Sequence, residues 1–277
     1  MKQKSLKSHS LPPAVPAGIC ALLLAAILAA FIIWASIIPL AVFICFCMTA
    51  PFFPQGGFFL PVISRGHTGK HAVAITFDDG PDPATTLPLL QLLEKHGLKA
   101  AFFIIGEKAE KHRALIDNII EGGHEIGNHS YTHDPLLMLR SSKKIFQEIK
   151  TVQDILKKHA LIPLAFRPPV GITNPKLGAI LRQMEMYCLT FSCRGFDGGN
   201  RYVNDLAQKI LKKVKPGDIL LLHDVRPRGG ASADLWLREV ELLFCGLREK
   251  NIEVVPLAEL IGRPVMKLTD SASSPHH

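Results

Sequence analysis

Ala74-Ile75-Thr76-Phe77-Asp78-Asp79-Gly80-Pro81 is an apolar run that ends in two adjacent carboxylates before Gly-Pro turns the chain. Val73, Ile75 and Phe77 have the β-branched and aromatic bias of a buried strand. Asp78 and Asp79 therefore sit where a strand passes into a loop. Successive side chains at a strand end point in different directions. One carboxylate can then bind a metal while the other faces a reacting water. A solvated turn needs only one Asp, so the pair calls for partners elsewhere in the chain.

Working outward, the N-terminal side is a different material. No Asp, Glu, Lys or Arg occurs from Ser8 to Ser64, and Ile19–Ile38 is apolar without interruption. A membrane span needs roughly 20 such residues, whereas the apolar core of a signal peptide has about 7–15. The segment reads as a retained anchor. Pro39 is expected to break the run, leaving Leu40–Phe53 short for a second crossing. A kinked single span, a re-entrant hairpin and two short spans all fit the pattern. Lys2, Lys4 and Lys7 place the N-terminus in the cytoplasm by the positive-inside rule. One span puts the main domain on the extracytoplasmic side and two put it inside; the single span is favoured.

The C-terminal side alternates short apolar runs with longer stretches of helical period. Strands are expected at Ala72–Phe77, Ala100–Ile105, Glu125–Asn128, Leu164–Arg167, Tyr187–Phe191, Asp218–Leu222 and Ile252–Val255. Helices are expected at Ala84–His96, Glu107–Glu121, Ser141–His159, Pro175–Met184, Val203–Val214 and Ala233–Lys250. Strand–helix alternation implies a mainly parallel sheet with helices outside. The expected fold is α/β, a distorted (β/α) barrel of about seven parallel strands, preceded by an N-terminal transmembrane segment. The domain reading is 1–16 a cytoplasmic tail, 17–48 the anchor (extending to 60 if it forms a second span or hairpin), and 49–69 a linker. Residues 70–262 form the catalytic domain and 263–277 a flexible tail.

Composition excludes several classes. The formal charge is +8 and the pI is near 9.2, but Lys and Arg are spread along amphipathic helices without aromatic interleaving, so no nucleic-acid partner is indicated. The six cysteines are scattered and make neither a disulfide framework nor a thiolate metal site.

In such folds working residues gather at the C-terminal ends of the strands. Those ends carry Asp78-Asp79, Gly106-Glu107, His129…His133, Arg167-Pro168-Pro169, Arg194…Asp197 and His223-Asp224. His129 and His133, four residues apart, face the same way if they share a helical turn. With Asp79 they make three protein ligands and leave a position for water, the form of a catalytic metal site. Nitrogen and oxygen donors suit Zn2+ first, with Co2+, Ni2+ or Fe2+ also compatible.

Thr76-Phe77-Asp78-Asp79-Gly80-Pro81, His129-x-x-x-His133, Arg167-Pro168-Pro169-x-Gly171 and Leu221-Leu222-His223-Asp224 follow one another in this order. Together they resemble the polysaccharide deacetylases of the NodB-homology type, carbohydrate esterase family 4, over roughly residues 70–260. The resemblance implies a hydrolase of carbon–nitrogen bonds other than peptide bonds. It implies Asp78 as general base, Asp79, His129 and His133 as metal ligands, Arg167 as the residue orienting the base, and His223 as general acid. An oxyanion would be held by the metal and by a backbone N–H after Gly80. Two positions depart from the family pattern. Val170 stands where an aromatic is expected, and in Phe191-Ser-Cys-Arg194-Gly-Phe196-Asp197, where the family's fourth motif has an acidic pair, Arg194 stands roughly at the first acid, with Asp197 as the second. Asp197 is then free to pair with Arg194, Arg167 or His223. His124 and Glu125 are read as structural, and Asp224 is left out of catalysis.

The function these residues imply is removal of an N-acetyl group from an amino sugar in a polysaccharide or a lipid-linked saccharide at a membrane. Two alternatives use the same residues. One is a non-catalytic carbohydrate-binding membrane protein; the other is a deformylase or O-deacetylase.

Overall fold

The structure, a computed structural model, describes residues 11–67 and 69–269. Lys2, Lys4 and Lys7, which orient the anchor in the sequence reading, lie outside the described residues. Among the described residues there are eleven strands: β1 (Val62–Ile63), β2 (Ala72–Asp78), β3 (Ala101–Ile104), β4 (Glu125–Asn128), β5 (Leu161–Pro163), β6 (Ala165–Phe166), β7 (Tyr187–Leu189), β8 (Cys193–Arg194), β9 (Ile219–His223), β10 (Glu253–Val254) and β11 (Met266–Leu268). The main sheet runs β1-β7-β6-β4-β3-β2-β9-β8, with β10 added beside β2. Its ladders are all parallel.

The expected barrel is thus a curled half-barrel. Strands β1 and β8 end the order without pairing to each other, and a single antiparallel bridge, Arg65 to Asp218, spans the seam. All seven expected strands are present, several of them shortened. β1, β5, β8 and β11 are additional; each has two or three residues, too few to show a period.

β2 is buried along its whole length, as expected of the central strand of a parallel sheet covered on both faces. Phe77 stacks on Phe102 of β3, with ring centroids 5.4 Å apart. The expected helix over 107–121 is two helices, Gly106–Lys111 and Arg113–Glu121, which meet at His112. Helix Ser142–Lys157 begins at an N-cap, where the Ser141 hydroxyl accepts from Lys144 N–H. Such a cap contributes about 0.5–2 kcal/mol, and here it fixes the start of the helix that carries Glu148 to the site.

Two of the expected boundaries move. The segment 49–69 is more than a linker. Phe59 and Leu60 are buried with Leu177, Leu181 and Met186 in a satellite core, and β1 joins the sheet. The segment 263–277, read as a flexible tail, contains β11, which pairs antiparallel with β5.

The apolar N-terminal segment folds as two helices, α1 (Ala14–Ala29) and α2 (Ile37–Thr49). The uninterrupted run Ile19–Ile38 is broken at 30–32, where Ile32 is extended, and not at Pro39. Pro39 lies just after the point where the 3-10 turn Ile33–Ser36 runs into α2 and does not interrupt it. Continuous helix from Ile33 to Phe52, 20 residues, is long and apolar enough to cross a membrane. α1 packs on it where Gly18 lies against Phe43; a Cβ at Gly18 would stand 3.0 Å from that ring. The two ends of this hairpin meet at the domain. Ala14 N–H donates to Phe58 carbonyl at 3.0 Å, and Thr173 N–H to Pro51 carbonyl at 3.3 Å.

Candidate active site

The parallel register does the positioning. Asp78 and His223 are register partners on the adjacent strands β2 and β9. Asn128 pairs with Phe166, so the next residues, His129 and Arg167, leave β4 and β6 side by side. Asp197 arrives just beyond β8. Asp78, His129, Arg167, Asp197 and His223 line one cleft of about 530 Å³ at the C-terminal rim.

Arg167 is buried, 1% exposed. Its Nη1 donates to Asp78 Oδ1 at 2.5 Å and to Thr76 Oγ1 at 2.8 Å, while Nη2 donates to Thr190 carbonyl at 3.1 Å. The guanidinium also lies over the Phe103 ring, 3.9 Å from its centroid. A buried carboxylate needs such a partner, and the pairing directs Oδ2 of Asp78 toward the cleft, 3.7 Å from His129 Nε2.

Asp79 turns away from Asp78 because its backbone is left-handed, with φ 69°. Its Oδ1 lies 3.4 Å from His129 Nε2 and 3.2 Å from His133 Nε2. That oxygen is buried and accepts no hydrogen bond. Two ligand atoms on a tetrahedral zinc are about 3.3 Å apart, given bonds of about 2.0–2.1 Å. The spacing, the orphaned oxygen and the N/N/O donor set therefore fit a divalent cation held by Asp79, His129 and His133, whose ligand atoms all lie within 4.8 Å of one another. The electrostatics agree. Burial works against charge on Asp79, yet His129 and His133 hold its carboxyl well below the usual range. Burial also works against a charged His129, but Asp78 and Asp79 raise its proton affinity. Burial and the nearby His129 lower that of His133. The carboxylates thus favour positive charge at this point.

The two histidines do not share a helical turn. His129 follows β4 directly, and the chain to His133 is a loop with Ser130 and His133 both left-handed, φ 67° and 54°. Glu148, buried at 2% exposure, holds that loop. Its Oε2 accepts from Tyr131 N–H at 3.0 Å and Thr132 N–H at 2.8 Å, and Thr132 Oγ1 donates to the same carboxylate. His129 Nδ1 donates to Arg167 carbonyl at 2.7 Å, which leaves Nε2 as the ligating nitrogen.

His223 Nδ1 lies 2.7 Å from Asp197 Oδ2. Asp197 pairs with this histidine and with neither arginine. Arg194 points elsewhere, its guanidinium 5.3 and 4.4 Å from the Phe191 and Phe196 ring centroids. Pro168 lines the cleft and Pro169 is buried behind it. Asn200 Nδ2 donates to the carbonyls of His223 and Val225 and secures the end of β9.

Several expectations change. No backbone N–H after Gly80 faces the cleft, since Pro81 has none and Asp82 N–H donates to Thr86 Oγ1. Glu107 pairs with Lys111 at the surface, and the residue that enters the cleft from that turn is Lys108, whose Nζ donates to Asp79 carbonyl at 2.7 Å. Val170 is left-handed, φ 51°, and 55% exposed at the lip; for a β-branched residue such a conformation costs about 1–3 kcal/mol. Asp224 is buried and accepts from Thr85 and Thr86 hydroxyls at 2.7 and 2.6 Å, tying β9 to the loop after Asp79. Glu125 accepts the N–H groups of Leu257 and Ala258 at a helix start. Lys108 and Glu148 were missed because neither belongs to a motif; only the fold brings them close.

Fold and site together define a parallel α/β half-barrel with an Asp-His-His donor set beside a buried Asp–Arg pair. The family model described as polysaccharide deacetylase matches residues 65–189. A peptidoglycan-N-acetylglucosamine deacetylase of Bacillus cereus is 32% identical over 192 residues, covering 68% of this chain and 87% of the relative. The chain belongs to the polysaccharide deacetylase family. A peptidoglycan-N-acetylglucosamine deacetylase of Listeria monocytogenes is 29% identical over 73% of this chain, which spans only 41% of that relative's length. The solved structure of a peptidoglycan N-acetylglucosamine deacetylase superposes with a TM-score of 0.66 at 27% identity, covering 74% of this chain and 94% of that one.

Proposed function

We propose that the protein is a metal-dependent hydrolase that removes an N-acetyl group from an amino sugar. The observation that carries this is Asp79 Oδ1, unbonded and 3.2–3.4 Å from two imidazole nitrogens, beside an Asp78 held by Arg167. A divalent cation in the Asp79/His129/His133 site would lower the pKa of water from ~15.7 toward ~7 and polarise the acyl oxygen.

The chain's own residues do the rest. Asp78 Oδ2 accepts the proton of the attacking water, because Arg167 occupies Oδ1 and leaves Oδ2 aimed at the cleft. His223, across the cleft, gives its Nε2 proton to the departing nitrogen, and Asp197 holds the Nδ1 proton in place. The amide C–N bond breaks; hydroxide goes to the acyl carbon and a proton to nitrogen, giving acetate and a free amine. A complete donor set and a partnered acid favour turnover over mere carbohydrate binding. Formamides and O-acetyl esters would meet the same groups.

The hairpin is proposed as a membrane anchor. Because Ala14 and Phe58 adjoin, both ends of the hairpin lie on one membrane face. The catalytic domain then shares the side of the N-terminus, the cytoplasmic side if the three lysines orient it. This differs from the extracytoplasmic placement expected from a single span. Protease treatment of intact cells and of inside-out vesicles checks it: cleavage of the domain in intact cells would reverse the assignment.

The activity test is acetate release by the purified, zinc-loaded full chain from chitooligosaccharides, peptidoglycan fragments and a prenyl-linked N-acetyl amino sugar. Release should stop in Asp78→Asn and on chelation. Release that persists in both would overturn the mechanism.

A further inference from the structure

Next to the catalytic cleft lies a second chamber of about 530 Å³ that the reaction does not use. Phe191, Arg194 and Phe196 belong to both. One wall is the foot of the apolar hairpin, where Phe52 and Phe53 are 65% and 67% exposed. The facing wall carries Arg65, Arg194, Lys213 and Lys215, against a single carboxylate, Asp218.

That carboxylate is committed. Asp218 accepts from Arg65 at 2.6 Å, from Ser192 Oγ at 2.6 Å and from Lys215 N–H at 2.7 Å. Arg194 and Lys213 both sit against the Phe196 ring, 4.4 and 4.6 Å from its centroid. Neither they nor the Lys215 ammonium has a carboxylate partner among the described residues. The chamber's lining therefore combines the apolar foot of the hairpin with cationic side chains, and it shares Phe191, Arg194 and Phe196 with the cleft where a sugar would react. Arg194, which departs from the family pattern, stands on the shared wall.

We infer that this chamber binds the phosphate of a prenyl-phosphate-linked saccharide, with the lipid lying along the hairpin foot and the amino sugar reaching the Asp79/His129/His133 site. The inference rests on the deacetylase reading and specifies its substrate class. A phosphate needs several cationic donors at once. A lipid tail needs an apolar surface beside them. An uncharged glycan needs neither.

The first test measures binding by the full chain in uncharged detergent micelles, using farnesyl phosphate, farnesol and inorganic phosphate as probes. Farnesyl phosphate should bind at least about tenfold more tightly than either other probe. The exposed pair Lys213→Glu/Lys215→Glu should weaken it about tenfold or more; Arg65 is left alone because its loss would strand Asp218. Equal binding of farnesol, equal binding of inorganic phosphate, or indifference to the charge reversal would each overturn the proposal.

The second test compares kcat/KM for acetate release from a prenyl-phosphate-linked N-acetylglucosamine and from the prenyl glycoside without phosphate. The ratio should exceed about ten in the native chain and approach one in the double variant. A ratio of one in the native chain would refute the substrate class. Charge-dependent binding of farnesyl phosphate with no acetate from either sugar would instead refute the deacetylase reading and leave the anion site standing.

Discussion

Asp197 Oδ2 and His223 Nδ1, 2.7 Å apart, join the end of β9 to the loop after β8. In the segment that carries Arg194, Asp197 is the carboxylate that reaches the imidazole. Burial opposes a charge on His223, but the hydrogen bond and charge of Asp197, with help from Asp79 and Asp78, carry its pKa up to about 9. A dication bound nearby would draw it back toward neutrality.

The sign of the pH effect follows. A general acid must be protonated, so activity falls as pH rises through the pKa of His223. Asp197→Asn removes the largest raising influence, and the alkaline limb of the kcat–pH profile should move down by about one unit or more. At a pH well above the native limb kcat should drop about tenfold for each unit the limb moves. An unmoved limb would show that another group donates the proton.

Arg167 is predicted to matter for stability as well as rate. Arg167→Ala leaves Asp78 buried without its cation, and breaking such a pair costs about 3–5 kcal/mol. Urea denaturation should show a midpoint lowered accordingly. Arg167→Lys keeps the charge but cannot serve Asp78, Thr76 and the Thr190 carbonyl together. It should fold and lose most of kcat.

Glu148 touches neither substrate nor cation, yet it holds the loop between His129 and His133 from helix Ser142–Lys157. Glu148→Gln keeps the shape but cannot accept from all the same donors. Zinc affinity, measured by chelator competition, should fall about 10- to 100-fold, while far-ultraviolet circular dichroism stays as in the native chain. Unchanged affinity would make Glu148 a packing residue only.

Zinc should stabilise the fold by mass action. At a free concentration one hundred times Kd, the gain is about 2.7 kcal/mol, visible as a rise in Tm. Asp79→Asn should abolish that rise. A shift that survives the substitution would place the cation elsewhere.

The chain order of Asp78-Asp79, His129, His133, Arg167 and His223, with Asp78-Asp79 and His223 at the ends of apolar runs, was legible without coordinates. Burial patterns are local, and parallel strands send their C-terminal ends to one rim. The composition of 8–64 likewise marked an apolar appendage. What stayed hidden depends on contacts between residues far apart in sequence. Glu148 reaches the metal loop only because a helix packs there, and Asp197 chooses His223 over two arginines only once β8 lies beside β9. The paired Gly18 and Phe43 turn one long apolar run into a hairpin, and short edge strands leave the barrel open. Residue order and hydropathy by themselves determined that Asp78, Asp79, His129, His133, Arg167 and His223 come to one rim. The tertiary structure alone decided which of them touch, because hydrogen bonds and ion pairs are settled over a few ångströms in space and leave no period along the chain.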